Sequence, residues 1–283
     1  MAIIKFMTIC DDVISPDNRE FLKRCDISVY PSMYFCRNNP FIDTVNTDSE
    51  TFYNDFKAGK VTVMPTVPAD VFEYEFRQAY NLGYLGVIAV FPHNKWTDFK
   101  HQAEIAKKRF LRKEKIDELG FVIKFIDSKT FAGGTSALVY NLALFNKDSH
   151  LCVDDFYNII KSEKYDKFTY ILSRDENVFD SDKGLKGYII KNDKVTRMNI
   201  SHYSESVIFD LFTSSFLKNS KDCKYNISLG YNCDFAGNII GRIIKSKNES
   251  VPERIIKYGV PTTCLLGNAA ICINFVKKKG LHG

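Results

Sequence analysis

Apolar and polar positions along the first half of the chain switch repeatedly between strand-like and helix-like spacing. Residues 3–10 (IIKFMTIC) are almost continuously apolar and predict a buried strand. Residues 16–24 (PDNREFLKR) predict a helix, with Ser15 as cap and proline at the first helical position. Residues 27–35 (ISVYPSMYF) read as a strand, part of which Pro31 confines to a sheet edge. A helix over 49–57 (SETFYNDFK) has Asp48 or Ser49 as its cap. Another helix over 68–83 stops at Gly83 and feeds the strand YLGVIAV (84–90). A long helix is expected over 96–116, then a strand over 121–127 (FVIKFID) and an apolar helix over 135–145. This alternation predicts a mostly parallel sheet with helices on both faces.

The pattern restarts around HLCVDD (150–155) with a helix over 153–164, which puts a domain boundary at residue 150 and gives domains 1–150 and 151–283. Strands follow at FTYIL, GYII, KVTRMNI, KYNISLGYN and AAICINF, with helices near 204–218 and 235–244. The short hairpin KNDKV (191–195) requires antiparallel neighbours, so the second domain is expected to hold a mixed α/β sheet.

Composition narrows the function only slightly. A hydrophobic content of 45% with 26% charged residues is that of a globular protein, and a net charge of +5 does not argue for a nucleic-acid partner. The basic run KKRFLRKEK (107–115) reads as the solvated face of a helix. The apolar start of the chain is too short for a membrane span, and no later segment approaches the length of one. The expectation is a cytoplasmic protein without integral membrane association. Eight cysteines show no C-x-x-C spacing and several sit inside apolar runs, as small buried hydrophobes do. The five histidines lack metal-ligand spacing. No G-x-S-x-G elbow, P-loop or G-x-G-x-x-G is present, so nothing local supports an enzyme beyond a Cys-His pair assembled at a distance.

The order and spacing of several short stretches resemble the DegV family of bacterial fatty-acid-binding proteins. Cys10, Asp11 and Asp12 stand where the family has a T-D-S turn after its first strand. FIDTVNTDSETFYNDF (41–56) is similar to a Y-x-D-x-x-D segment and the S-x-x-x-F-Y helix after it, with Asp43, Phe52 and Tyr53 in place. Thr62, Val63, Met64, Pro65 and Thr66 resemble the T-S-Q-P-S loop, keeping its threonine and proline. Phe125, Ile126, Asp127 and Ser128 match the V-I-D-S strand end, followed by Ala132, Gly133 and Gly134 at a glycine-containing helix start. Leu185, Lys186, Gly187, Tyr188 and Ile189 resemble I-K-P-I-L, and the stretch from Cys264 through Gly267 to Ala270 echoes the final G-x-H-T-G-P-G-A. The family's L-x-x-G-G-R-I is missing, with Arg174 near its place.

The resemblance implies a two-domain α/β protein that buries one long-chain fatty acid in a tunnel between the domains. It implies a lipid-binding carrier without catalytic residues, cofactor or metal, which presents the carboxylate to a separate fatty-acid kinase subunit. The head group would lie near Thr62, Val63, His93, Asn94, Leu265 and Gly267. Thr62 alone keeps the family's chemistry. Val63 replaces a serine, His93 and Asn94 replace the serines of an S-S-x-L-S-G-T loop, and Leu265 replaces the histidine. A carboxylate without donors in an apolar cleft costs several kcal/mol or protonates. Two expectations follow: His93, Asn94 and Thr62 hold the head group together, or the fold persists as an interaction module without ligand. Trp96, the sole tryptophan, reads as packing. Asp11, Asp12, Asp127 and Ser128 end strands on the presumed ligand side, where they cap helices or polarise the site.

Overall fold

The apolar runs of the first half become the strands of one parallel sheet. The computed structural model describes residues 4–10, 19–42, 49–117, 120–149, 152–161, 165–175, 179, 183–200, 202–246 and 252–278. Asp11, Asp12, Asp43, Asp48 and the Ser15–Pro16 helix start lie outside the described residues. In chain order come β1 (Ile4–Cys10), α1 (Arg19–Arg24), β2 (Ile27–Pro31), β3 (Met33–Cys36), β4 (Asn39–Ile42), α2 (Ser49–Lys57) and β5 (Val61–Thr66). Next are α3 (Ala69–Asn81), β6 (Gly86–Phe91), α4 (Phe99–Glu114), β7 (Val122–Asp127), α5 (Gly133–Ser149) and α6 (Val153–Lys161). The remainder holds β8 (Tyr165–Ser173), β9 (Lys186–Lys191), β10 (Lys194–Arg197), α7 (Glu205–Asn219) and β11 (Tyr225–Leu229). It ends with α8 (Ala236–Ser246), β12 (Arg254–Lys257), α9 (Val260–Leu266) and β13 (Ala270–Lys278).

The parallel sheet has the order β2-β1-β6-β7. Side chains alternate across it with period two. Ile4, Phe6, Ile88 and Val90 face α5 and α6, whereas Met7, Val87, Ala89 and Phe91 face α3 and α4. Helices therefore cover both faces, as the alternation predicts. Pro31 closes the edge strand β2, where its missing N–H leaves no ladder bond unmade.

Two segments depart from the sequence reading. Residues 27–35 are not one strand: after Pro31 the chain leaves the parallel sheet, and β3 joins β4 and β5 in a separate antiparallel sheet of order β4-β3-β5. Arg37 and Asn38, at φ 48° and 69°, make the turn between β3 and β4. Residues 61–66, read by resemblance as a loop, form the edge strand β5 through irregular pairing with β3. That strand is created by a partner distant in sequence, and its edge position accommodates Pro65. β12 and α9 were likewise not anticipated. Pro261 in the first turn of α9 is the local helix-start signal there.

The second sheet is mixed, with order β10-β9-β8-β13-β11-β12. Asn192 and Asp193 take φ 47° and 78°, which gives the β9–β10 hairpin the turn its sequence predicts. One face is aromatic and aliphatic: Tyr170, Phe275 and Ile227 pack under Phe212 and Phe216 of α7 and Ile239 of α8.

The opposite face carries a hydroxyl seam. Thr169 Oγ1 lies 2.6 Å from Thr130 Oγ1 and donates to Asn274 Oδ1 at 2.9 Å. Asn274 Nδ2 donates to Ser228 Oγ at 3.3 Å, and Ser228 Oγ in turn accepts from Gly133 N at 3.2 Å. The first turn of α5 is seated on this seam, while Leu138, Val139 and Leu142 pack on the parallel sheet. Residues 131–140 are accordingly all buried. Val153 and Phe156 of α6 also join the core of the parallel sheet, so the chain passes to the second sheet only after α6.

Candidate ligand-binding site

β6 and β7 end side by side, with Phe91 paired to Asp127. Loops at the carboxyl ends of neighbouring strands are where open α/β sheets present ligand groups. Here they are tied to each other: Ser128 N donates to Phe91 O at 2.9 Å, and His93 N donates to Thr130 O at 2.8 Å. Asp127 Oδ2 lies 2.7 Å from His93 Nδ1, and Oδ1 accepts from the Lys129 N–H at 2.7 Å. An ionised carboxylate only accepts hydrogen bonds, so the Asp127 partner is an Nδ1–H. Nδ1 is thereby committed to Asp127, and Nε2 is the ring nitrogen that remains for another partner.

Trp96 stacks edge-on against His93 at 5.2 Å and against Phe131 at 5.0 Å. Together with Leu265 it packs on a cluster containing Phe131, Tyr188, Tyr258 and Leu266. The tryptophan thus joins the loop to the second half of the chain, in the packing role its sequence context predicts.

An open cleft of about 620 Å³ lies beside this loop. Asn94, Lys95, Trp96, Thr97 and Asp98 form one wall, and Pro65, Thr66 and Gln102 also line it. Asp98 accepts from Thr66 Oγ1 at 3.2 Å and from Gln102 Nε2 at 3.2 Å. Thr97 Oγ1 is buried and has no hydrogen-bond partner among the described residues.

A second polar centre lies around Asp175. Its carboxylate accepts from the Tyr53 hydroxyl and from the Ala269 N–H, the latter at 2.6 Å. Gly267, at φ 70°, lies under this carboxylate with no room for a Cβ, and its carbonyl accepts from the Tyr258 hydroxyl at 2.5 Å. The neighbouring Arg174 is committed to Asp234 (2.8 Å) and Glu205 (2.9 Å) and lies over the Phe235 ring. Burial pushes the Cys233 thiol up to about 12 and the Cys264 thiol up to about 11. Both are inert thiols, the opposite of an activated nucleophile. Among the described residues no cluster of metal-ligating side chains occurs, and no helix is long and apolar enough to cross a membrane.

No protein-family model matches the sequence, and no curated protein matches it. Solved structures do match, over almost the whole chain. A stearic-acid-binding protein from Eubacterium ventriosum is 15% identical, with a TM-score of 0.76 over 97% of this chain and 98% of that one. A fatty-acid-binding DegV-family protein from Streptococcus agalactiae is 17% identical, with a TM-score of 0.71 over 98% and 99% of the two chains. The chain has the DegV fold. A third match is the Streptococcus pneumoniae fatty acid kinase B3 protein loaded with linoleic acid, at 13% identity and a TM-score of 0.71 over 96% and 98%. The DegV fold thus extends across all three sheets, as the ordered motifs imply.

Within the DegV fold the six positions expected around a head group divide. His93 and Asn94 come together with Asp127, and Asn94 lines the cleft. Thr62 does not: its hydroxyl donates to Phe35 O at 3.2 Å, and Thr66 lines the cleft instead. Val63 pairs with Phe35 across the ladder, and its side chain lies outside the described part of the residue. Leu265 packs on the same buried cluster as Trp96, and Gly267 provides space beneath Asp175. Sequence reasoning missed Thr97, Asp98, Gln102 and Asp175. Thr66 stood inside a quoted motif, but Asp175 carried no local signal, because its partners lie 94 and 122 residues away in the chain.

Proposed function

We propose that this protein is a lipid carrier that buries one long acyl chain and keeps the polar end near His93 and Asn94. The observation that carries this is the match of nearly the whole chain, all three sheets included, to structures of fatty-acid-binding DegV proteins. Burial supplies the affinity, each methylene adding about 0.8 kcal/mol. The polar groups then fix orientation. Within this proposal the protein is bacterial, works in the cytoplasm and is not itself an enzyme. It hands its ligand to a separate kinase subunit, as the kinship in fold with the pneumococcal kinase B3 protein supports.

A second reading, an interaction module without ligand, draws on two side chains. The Thr62 hydroxyl is spent on a backbone carbonyl, and Leu265 offers no donor. Mass spectrometry of the purified protein, first native and then denatured and extracted, separates the two. One acyl molecule per chain is the expected result. A protein that arrives empty and refuses added acyl lipid would replace the carrier with the module.

A further inference from the structure

We infer that the Ser32 hydroxyl is a donor to the carboxylate of the bound acyl chain; this rests on the acyl-carrier proposal above. The first observation is where the residue stands. Pro31 pairs with Cys10 in the last rung of the β1–β2 ladder, and Ser32 is the next residue, at the carboxyl edge of the parallel sheet. That edge is where open α/β sheets hold their ligands. Met33 then begins the small antiparallel sheet and pairs with Thr66, which lines the cleft together with Asn94. Ser32 is one residue away from that wall.

The second observation is the face it shares. Ser32, Tyr34 and Cys36 are buried, whereas Met33 and Phe35 between them are half-buried. An alternation of period two puts the three buried side chains on one face. Tyr34 and Cys36 belong there to a core with Phe52 of α2 and Val260 of α9. The face that carries Ser32 is therefore turned to an element of the second half of the chain.

The third observation is the hydroxyl itself. Ser32 is fully buried, and its Oγ has no hydrogen-bond partner among the described residues. Thr8 and Ser128, buried near the same edge, both spend theirs, on Val90 O at 3.0 Å and on Thr130 O at 3.0 Å. A buried hydroxyl left unpaired carries its full desolvation cost, which is why most in folded proteins are satisfied. A carboxylate only accepts, so it needs such donors, and the bond to an ionised acceptor is about twice as strong as a neutral one. Thr62, the hydroxyl expected to serve here, is instead spent on Phe35 O. Ser32 supplies the donor from a neighbouring strand end.

The delipidated protein is titrated with oleate at neutral pH, native mass spectrometry counts the bound molecules, and the midpoint of thermal unfolding is read without ligand. Ser32→Ala is expected to bind oleate about tenfold more weakly, the worth of one charge-assisted hydrogen bond. Its unliganded midpoint is expected to stay the same or rise, because alanine leaves no hydroxyl unpaired. Ser32→Cys keeps the side chain's length but offers only a weak donor, and the same loss is expected of it; it carries the test if the alanine variant does not fold. Variants that bind oleate as tightly as the unaltered protein overturn the assignment and leave the carrier standing. An unliganded midpoint several degrees lower in both variants also overturns it, since the hydroxyl then serves the fold and not the ligand. Failure of the unaltered protein to take up oleate overturns the carrier proposal and this assignment with it.

Discussion

Gly267 combines a left-handed φ of 70° with the Asp175 carboxylate where a side chain would go. Gly267→Ala therefore adds backbone strain and displaces the acceptor of the Tyr53 hydroxyl and the Ala269 N–H. A loss of about 2 kcal/mol or more is expected, read as a midpoint of thermal unfolding lower by about 4 °C or more. An unchanged midpoint would show that Asp175 moves aside without cost. His93 is the contrasting case, since its side chain is held by a single carboxylate and its Nε2 has no partner among the described residues. His93→Ala is expected to weaken acyl-lipid binding about fivefold with little change in stability, the worth of one hydrogen bond. Equal affinity in the titration would place the head group elsewhere.

At the scale of elements, the hydroxyl seam under α5 is the arrangement most exposed to a single change. Thr169→Val preserves shape but removes the donor to Asn274 and the partner of Thr130, leaving buried polar atoms unsatisfied. The expected cost is about 1–3 kcal/mol, measured by denaturant unfolding with an unchanged m-value. Elements whose cause is local were legible in the sequence. The β6 and β7 runs, the Asn192–Asp193 hairpin and the α7 and α8 stripes carry their own periodicity or turn chemistry. Elements created by a distant partner were not, as with β5, which is a strand because β3 lies beside it. The site divides in the same way. His93 and Asn94 stood out as polar residues in a strand-end loop, whereas Asp98 and Asp175 acquire meaning only from what folding sets against them.

Over the whole molecule, ionisation of buried thiols sets an alkaline limit. Cys233 and Cys264 are raised from an ordinary 9.0 to about 12 and about 11 by burial. Below about pH 9 both states hold these protons and the contribution to stability is complete. Between about pH 9 and 12 the unfolded chain has released protons that the folded chain keeps, so stability falls as pH rises. Thermal unfolding followed from pH 8 to 11 is expected to show that decline, and Cys233→Ala to flatten it. A midpoint independent of pH over that range would mean that water reaches both thiols in the folded state.

The way α5 is shared also bears on how this chain can be divided. Its first turn lies on the second sheet and its apolar side on the first, so it is a common wall. A fragment beginning at residue 151 would leave Ser228 without the Gly133 N–H and Thr169 without the Thr130 hydroxyl, with the seam under α5 turned to solvent. Expressed alone it should be recovered as aggregate, whereas co-expression with residues 1–150 should return it to solution. Exchange of halves between relatives is then constrained by one helix more than by the boundary drawn through the sequence.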